Sequence, residues 1–358
     1  MKLKNYLLSI FAILLLFNLT ACQPKEKTPL VVFGAGSLII PFDQIEAAFE
    51  KAHPEIDVLS EYHGSIQVIR HVSELHESID VVASADQALI PMLMYDSHVP
   101  ETGVPYADWN IRFATNRMAI AYSDQSKYAD EINEQNWTEI LTRDDVKVGI
   151  ADPRFDAAGY RAFMVFKLAE PVYQKPALFF DMFSGQFTMP FTVSEQDGLS
   201  TIHVPEIVET KKTSHVVIRG ASIQLIALLE SGDLDYAFDY ESVVQQHGLK
   251  MVSLPPEVNL GTDGYADQYK SVVVKEDFKR FASVEPIFGG EQISYGITIP
   301  SNAPHAKEAI EYIQFLLGPE GQKIMAENHH PLLNPLVGNQ YDQIPSALQA
   351  LCVPESTP

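Results

Sequence analysis

Three turns in the sequence set a glycine or small residue beside a serine just ahead of a helical pattern: Gly36-Ser37, Gly64-Ser65 and Gly220-Ala221-Ser222. The first amides of a helix lack intrahelical acceptors and carry the positive end of its dipole, so each turn offers N–H groups and a hydroxyl to an anion. A serine there also caps the helix, and for any single turn capping is a sufficient account. Repetition of the turn along the chain is what points to an oxyanion. Residues 151–163, ADPRFDAAGYRAF, add Asp152 and Asp156 between a strand and a helix, where Asp156 either caps the helix or faces a ligand. Residues 235–248, DYAFDYESVVQQHG, end a strand at Tyr240 and open a helix near Ser242. The Tyr240 phenol either donates to an oxyanion or packs.

Other chemistry has little behind it. The segment from Gly34 to Leu38 lacks the spacing of a nucleophile elbow, and no full Walker or dinucleotide fingerprint follows the first strand. The 11 histidines include His329-His330 but no helical H-x-x-x-H pair, so zinc has no specific ligand pattern. The sequence therefore predicts a binding protein without catalytic residues or a cofactor.

The elements that must position these residues alternate. Leu30 to Phe33 reads as a strand before a helix from Pro41 to Lys51; Ile56 to Tyr62 reads as a strand before a helix face of Val68, Val72 and Leu75. Ile79 to Val82 is a third strand, leading into a helix that runs through Met94. This alternation predicts βαβ units and a mainly parallel sheet. Residues 109–122, WNIRFATNRMAIAY, form a long β-rich run suited to crossing between two lobes, and a second α/β series follows it. The segments YKSVVVK and QISYGITIP lead back, and a helix from Ala306 to Leu317 closes a discontinuous first lobe. The expected limits are residues 29–112 with 287–350 for lobe I, and residues 113–286 for lobe II.

Lys2 and Lys4 precede an apolar run from Tyr6 to Phe17, too short for a stable membrane span, which reads as a signal peptide over residues 1–21. The small pair Thr20-Ala21 before Cys22 resembles a bacterial lipoprotein processing site, so Cys22 is the expected acylated residue and residues 22–28 its tether. An acylated cysteine places the protein on the outer side of a membrane. Cys352 is then the only other cysteine, so no disulfide is available and stability must come from packed cores. A chain of 358 residues is long for one core and suggests two. The net charge of −22, lowered by two more when Lys2 and Lys4 leave with the leader, argues against nucleic acid. It does not exclude a small anion, because surface charge is screened beyond about 8 Å while helix amides act at contact.

The blocks VVFGAGSL, HGSIQVIR, DVVASADQALIPMLM, ADWNIRFATNRMAIAYSDQSKYADEIN, GYRAF, ALLESGDLDYAFDYESV and QQHG, in this order, resemble the tungstate/molybdate-binding proteins of ABC importers, archaeal-type branch. The resemblance covers about residues 29 to 330. It implies an α/β, two-lobe periplasmic-binding-protein fold of type II topology, acting as a monomer that hands its anion to a permease and ATPase. It places Ser37 and Ser65 on anion oxygens, Asp156 as a carboxylate ligand of the tungsten or molybdenum, and Tyr240 at the strand-end tyrosine position. A carboxylate beside a dianion is repulsive unless its oxygen bonds an electrophilic central atom, which W(VI) and Mo(VI) allow and sulfur or phosphorus does not. The family's second acid is missing: Gly220 to Leu225 holds none, and Ser222 or Gln224 takes that place. Ala157 also stands where a proline is common. Without the second acid, the implied coordination is lower than six, and rejection of smaller oxyanions such as sulfate or phosphate falls more to cavity size.

Overall fold

The computed structural model describes residues 26–278 and 286–355. The expected signal peptide, Cys22 and the first part of the tether lie outside them. Among the described residues no helix is long and apolar enough to cross a membrane.

The strand-and-helix alternation builds two lobes on the same plan. In the first lobe, parallel strands Ile56–His63, Thr28–Ala35 and Val81–Ser84 lie side by side in that order. Ser294–Thr298 and then Asn110–Thr115 follow, with Leu332–Asn339 and Cys352–Pro354 at the far edge. In the second lobe the order is Val216–Arg219, Val148–Ala151, Tyr236–Tyr240, Met118–Tyr122 and Lys250–Ser253. In each sheet the strand arriving from the other lobe, Ser294–Thr298 or Met118–Tyr122, runs antiparallel to its neighbours. It enters at the end where the parallel strands stop, so it must run the other way. This shared order is the type II topology. It also turns the carboxyl ends of the parallel strands in both lobes toward one crevice, the usual place for a ligand in open α/β sheets.

Apolar burial explains the strand sequences. Val81, Val82 and Ala83 are buried on both faces, as a parallel strand covered by helices requires. In the helix Ser65–Ser73, buried Ile66, Ile69 and Val72 make the face that packs on the sheet. Each such side chain contributes roughly 1.5–3 kcal/mol on burial.

Two features depart from the sequence reading. The run from Trp109 to Tyr122 is two strands in different sheets, broken at Asn116-Arg117. A further sheet, Ile287–Gly289, Val272–Glu276, Leu199–Val204 and Thr192–Gln196, was not foreseen. YKSVVVK therefore lies in this second-lobe sheet, while QISYGITIP alone makes the return to the first. The helix Ala157–Val172 packs against both this sheet and the five-stranded one. Apolar nearly all round, it is buried along almost its whole length.

The junction of the lobes holds a buried histidine. The His330 Nε2 accepts from the Asn116 amide at 3.3 Å, and its ring meets the Tyr295 ring edge to face at 5.0 Å. Burial pushes its pKa from 6.5 down to about 3. Unfolded chain takes up a proton below about pH 6.5 that the folded protein refuses, so stability falls with pH below that value, by about 1.4 kcal/mol per unit for this group. Urea unfolding should lose roughly 2 kcal/mol more between about pH 7 and pH 5 in wild type than in His330→Asn. Equal losses would mean that His330 titrates normally.

Candidate functional site

Four of the expected residues meet where the lobes touch. Ser37 sits in a short turn, Gly36–Leu38, directly after strand Thr28–Ala35. Its Oγ lies 2.8 Å from the hydroxyl of Tyr295, which also accepts from the Asn116 amide at 3.1 Å. Ser65 opens the helix Ser65–Ser73 and is fully buried; its Oγ accepts from the Ala85 N–H at 3.0 Å. Accepting there leaves the Ser65 O–H to donate elsewhere.

Asp156 precedes the long helix Ala157–Val172 and caps it, with Oδ1 accepting from the Ala158 N–H at 2.9 Å. Its Oδ2 accepts from the Ser222 N–H, also at 2.9 Å. The capping reading is therefore correct, and it accounts for only part of the environment. Burial raises the Asp156 pKa, opposed by the Ser222 and Ala158 amides and by Arg161. Ser222 precedes the helix Ile223–Glu230 and donates its Oγ–H to Asp239 Oδ1 at 3.0 Å.

The two lobes interlock at these turns. The Ile66 and Gln67 amides, at the start of the Ser65 helix, donate to the Phe155 carbonyl at 3.1 and 3.4 Å. A Cβ on Gly64 would lie 2.4 Å from that carbonyl oxygen and 3.0 Å from Asp156 Cβ, so only glycine lets the lobes approach this closely. Similarly, a Cβ on Gly36 would meet the Ile223 side chain at 3.1 Å.

Tyr240 lies beside them, buried, and its hydroxyl accepts from Arg161 at 2.7 Å. Arg161 is itself buried and binds both lobes. It donates to the Ala85 carbonyl at 2.8 Å and pairs with Asp86 at 3.1 Å, while the Tyr160 hydroxyl donates to the same carboxylate. Burial disfavours the Arg161 charge, but Tyr240, Asp86 and Tyr160 outweigh that and raise its pKa. Glu291, in the segment leading back to the first lobe, is pushed up to about 7 by burial and by the nearby Asp86.

Gln224 is not brought into this cluster. It lies exposed on the Ile223–Glu230 helix, two positions and about 200° round from the inward-facing Ser222. Asp152 is engaged locally by Arg154, through its Nε at 2.9 Å. Sequence reasoning did not single out Asp86, Asn116, Arg161, Asp239 or Tyr295. Their partners lie far along the chain, although Arg161 and Asp86 stand within the GYRAF and ASADQ blocks. Among the described residues, no three His, Cys, Asp or Glu side chains group as they would around a metal cation.

Two α/β lobes joined by crossing strands, with buried hydroxyls, amides and a carboxylate converging between them, define a two-lobe binding protein. The chain belongs to the family of bacterial extracellular solute-binding proteins, whose model matches residues 30–329. It is 39% identical over 326 residues to an uncharacterized solute-binding protein of Methanoculleus marisnigri, covering 91% of this chain and 87% of that one. It is 38% identical to the molybdate/tungstate-binding protein WtpA of Thermococcus kodakarensis, covering 91% and 88%. Among solved structures, the periplasmic molybdate-binding protein of Azotobacter vinelandii shares the fold, with a TM-score of 0.53 at 13% identity, covering 85% of this chain and 99% of that one.

The close approach at Gly64 yields a test. Gly64→Ala should weaken ligand binding tenfold or more and enlarge the liganded protein in small-angle scattering, while the unliganded melting temperature stays within about 2 °C. Unchanged affinity would show that this contact does not belong to the closed, binding form.

Proposed function

We propose that this protein captures tungstate or molybdate between its lobes and delivers it to the permease and ATPase of an ABC importer. The observation that carries the proposal is Asp156, a buried carboxylate held between the serine turns of both lobes. Beside a dianion such a group is repulsive, unless the central atom accepts its oxygen as W(VI) and Mo(VI) do. The serine hydroxyls at 37 and 65 are donors for the oxo groups. Ser222 and Tyr240 complete the second-lobe wall, and the name of the Thermococcus relative supports the same ligand class. Closure over the anion excludes water and strengthens each of these bonds.

Sulfate or phosphate is the second reading, favoured because Ser222 stands where the family resemblance implies another acid. Titration calorimetry of the ligand-free protein separates them: tungstate and molybdate should bind with submicromolar Kd and sulfate and phosphate at least a hundredfold more weakly. Micromolar or weaker binding of all four overturns the proposal. Asp156→Ala should weaken tungstate binding by more than about 2 kcal/mol, while the unliganded protein loses only the ~1 kcal/mol of a helix cap. Equal losses would reduce Asp156 to a cap.

Delivery also needs a place at the membrane, which we assign to acylated Cys22, with the protein acting as a monomer. Cys22→Ser should release the protein from the membrane fraction, and intact-mass measurement of wild type should show the lipid. Retention of the variant would count against the anchor.

A further inference from the structure

Asp239 is fully buried at the end of strand Tyr236–Tyr240, and its two carboxyl oxygens differ. Oδ1 accepts from the Tyr240 N–H at 2.7 Å and from Ser222 Oγ at 3.0 Å. Oδ2 is buried and has no hydrogen-bond partner among the described residues. An ionised carboxylate oxygen left in this way costs the full desolvation of a charge.

The Tyr240 and Ser222 donors reach Oδ1 alone, and among the described residues no cation acts on Asp239. Asp156, from the start of its helix, bonds the same Ser222 and adds a negative charge. Tyr295, reaching from the other lobe, is near enough for Asp239 to act on its ionisation. Arg161 acts on Asp156 and on Tyr295, and spends its own donors on Asp86, Ala85 and Tyr240. An oxygen in this position favours a proton, and with no protein partner among the described residues the resulting O–H is left to a ligand.

We infer that Asp239 is a further anion-binding residue, which donates an O–H from Oδ2 to an oxygen of the bound oxyanion and so makes capture depend on one proton. The inference rests on the oxyanion reading above. Its chemistry complements Asp156: that carboxylate already accepts two amide hydrogens and has no need of a proton, whereas Asp239 gives a hydrogen bond that an ionised acid cannot. Burial, opposed by the Tyr240 N–H and reinforced by Asp156, pushes the Asp239 pKa from 3.8 up to about 7. The acid is therefore present at neutral pH and lost above it.

The experiment is tungstate titration calorimetry in two buffers of different ionisation heat, from about pH 6.5 to pH 9, with wild type, Asp239→Asn and Asp239→Ala. Tungstate remains a dianion across that range. Wild type should take up close to one proton per anion at the upper end, and its affinity should fall by up to about tenfold per pH unit there. Asp239→Asn keeps an N–H donor at the same place, so it should retain affinity within about tenfold of the wild-type value at low pH and lose the pH dependence. Asp239→Ala should bind at least thirtyfold more weakly. Circular dichroism and melting curves of the unliganded variants separate misfolding from lost contact; Asp239→Asn should melt higher than wild type at about pH 8, where it removes a buried charge. Asparagine failing as badly as alanine in a folded protein, or a pH-independent wild type, overturns the inference while leaving tungstate binding intact. Absence of tungstate and molybdate binding by wild type at every pH would instead remove the oxyanion reading itself.

Discussion

Charge buried between the lobes has to be balanced from both sides, and Arg161 is where that balance is struck. Its guanidinium comes from the second lobe, yet two of its acceptors, Asp86 and the Ala85 carbonyl, belong to the first. Removing a partner from such a pair leaves an uncompensated charge, at a cost of about 3–5 kcal/mol. Opening the lobes instead hands these groups to water, which makes the pair compatible with movement. Because the same guanidinium holds Tyr240, the link between the lobes also orients part of the candidate site.

On the proposed oxyanion reading, recognition has to be local, because the protein's net charge is −22. A long-range field of that sign repels a dianion. Short-range donors would have to overcome it, and the close-packed turns, with glycine at positions 36 and 64, let both lobes reach the same point. Gly64 and Asp156 are thus parts of one device: the glycine admits the opposite backbone, and the carboxylate is fixed by amides from two helix starts.

The sequence made the βαβ rhythm legible because parallel strands buried on both faces leave dense apolar runs, as in residues 79–82 and 148–150. The serine turns were visible for a similar reason, since helix starts have a strict residue preference. The sheet containing Thr192–Gln196 escaped because that strand is mostly exposed and has no apolar alternation. The strand Leu332–Asn339, next to the sheet edge, was hidden by the proline in its middle and by only patchy burial. At the site, Ser37, Ser65, Asp156, Ser222 and Tyr240 lie where the lobes meet. Gln224, the alternative to Ser222, lies outside that cluster, because the sequence alone does not fix which side of its helix faces inward. Asp239 was overlooked for a different reason: alternation marks it as a core position, and only three-dimensional contacts reveal an oxygen without a donor.

The break at Asn116-Arg117 has a dynamic consequence. The Asn116 amide reaches Ser242 in one lobe and Tyr295 in the other. Rotation of one lobe against the other must stretch at least one of these two contacts. Because that same Tyr295 hydroxyl meets Ser37 Oγ, the crossing strand and the serine turn share one hydrogen-bond network, and a shift at the hinge is felt at the turn.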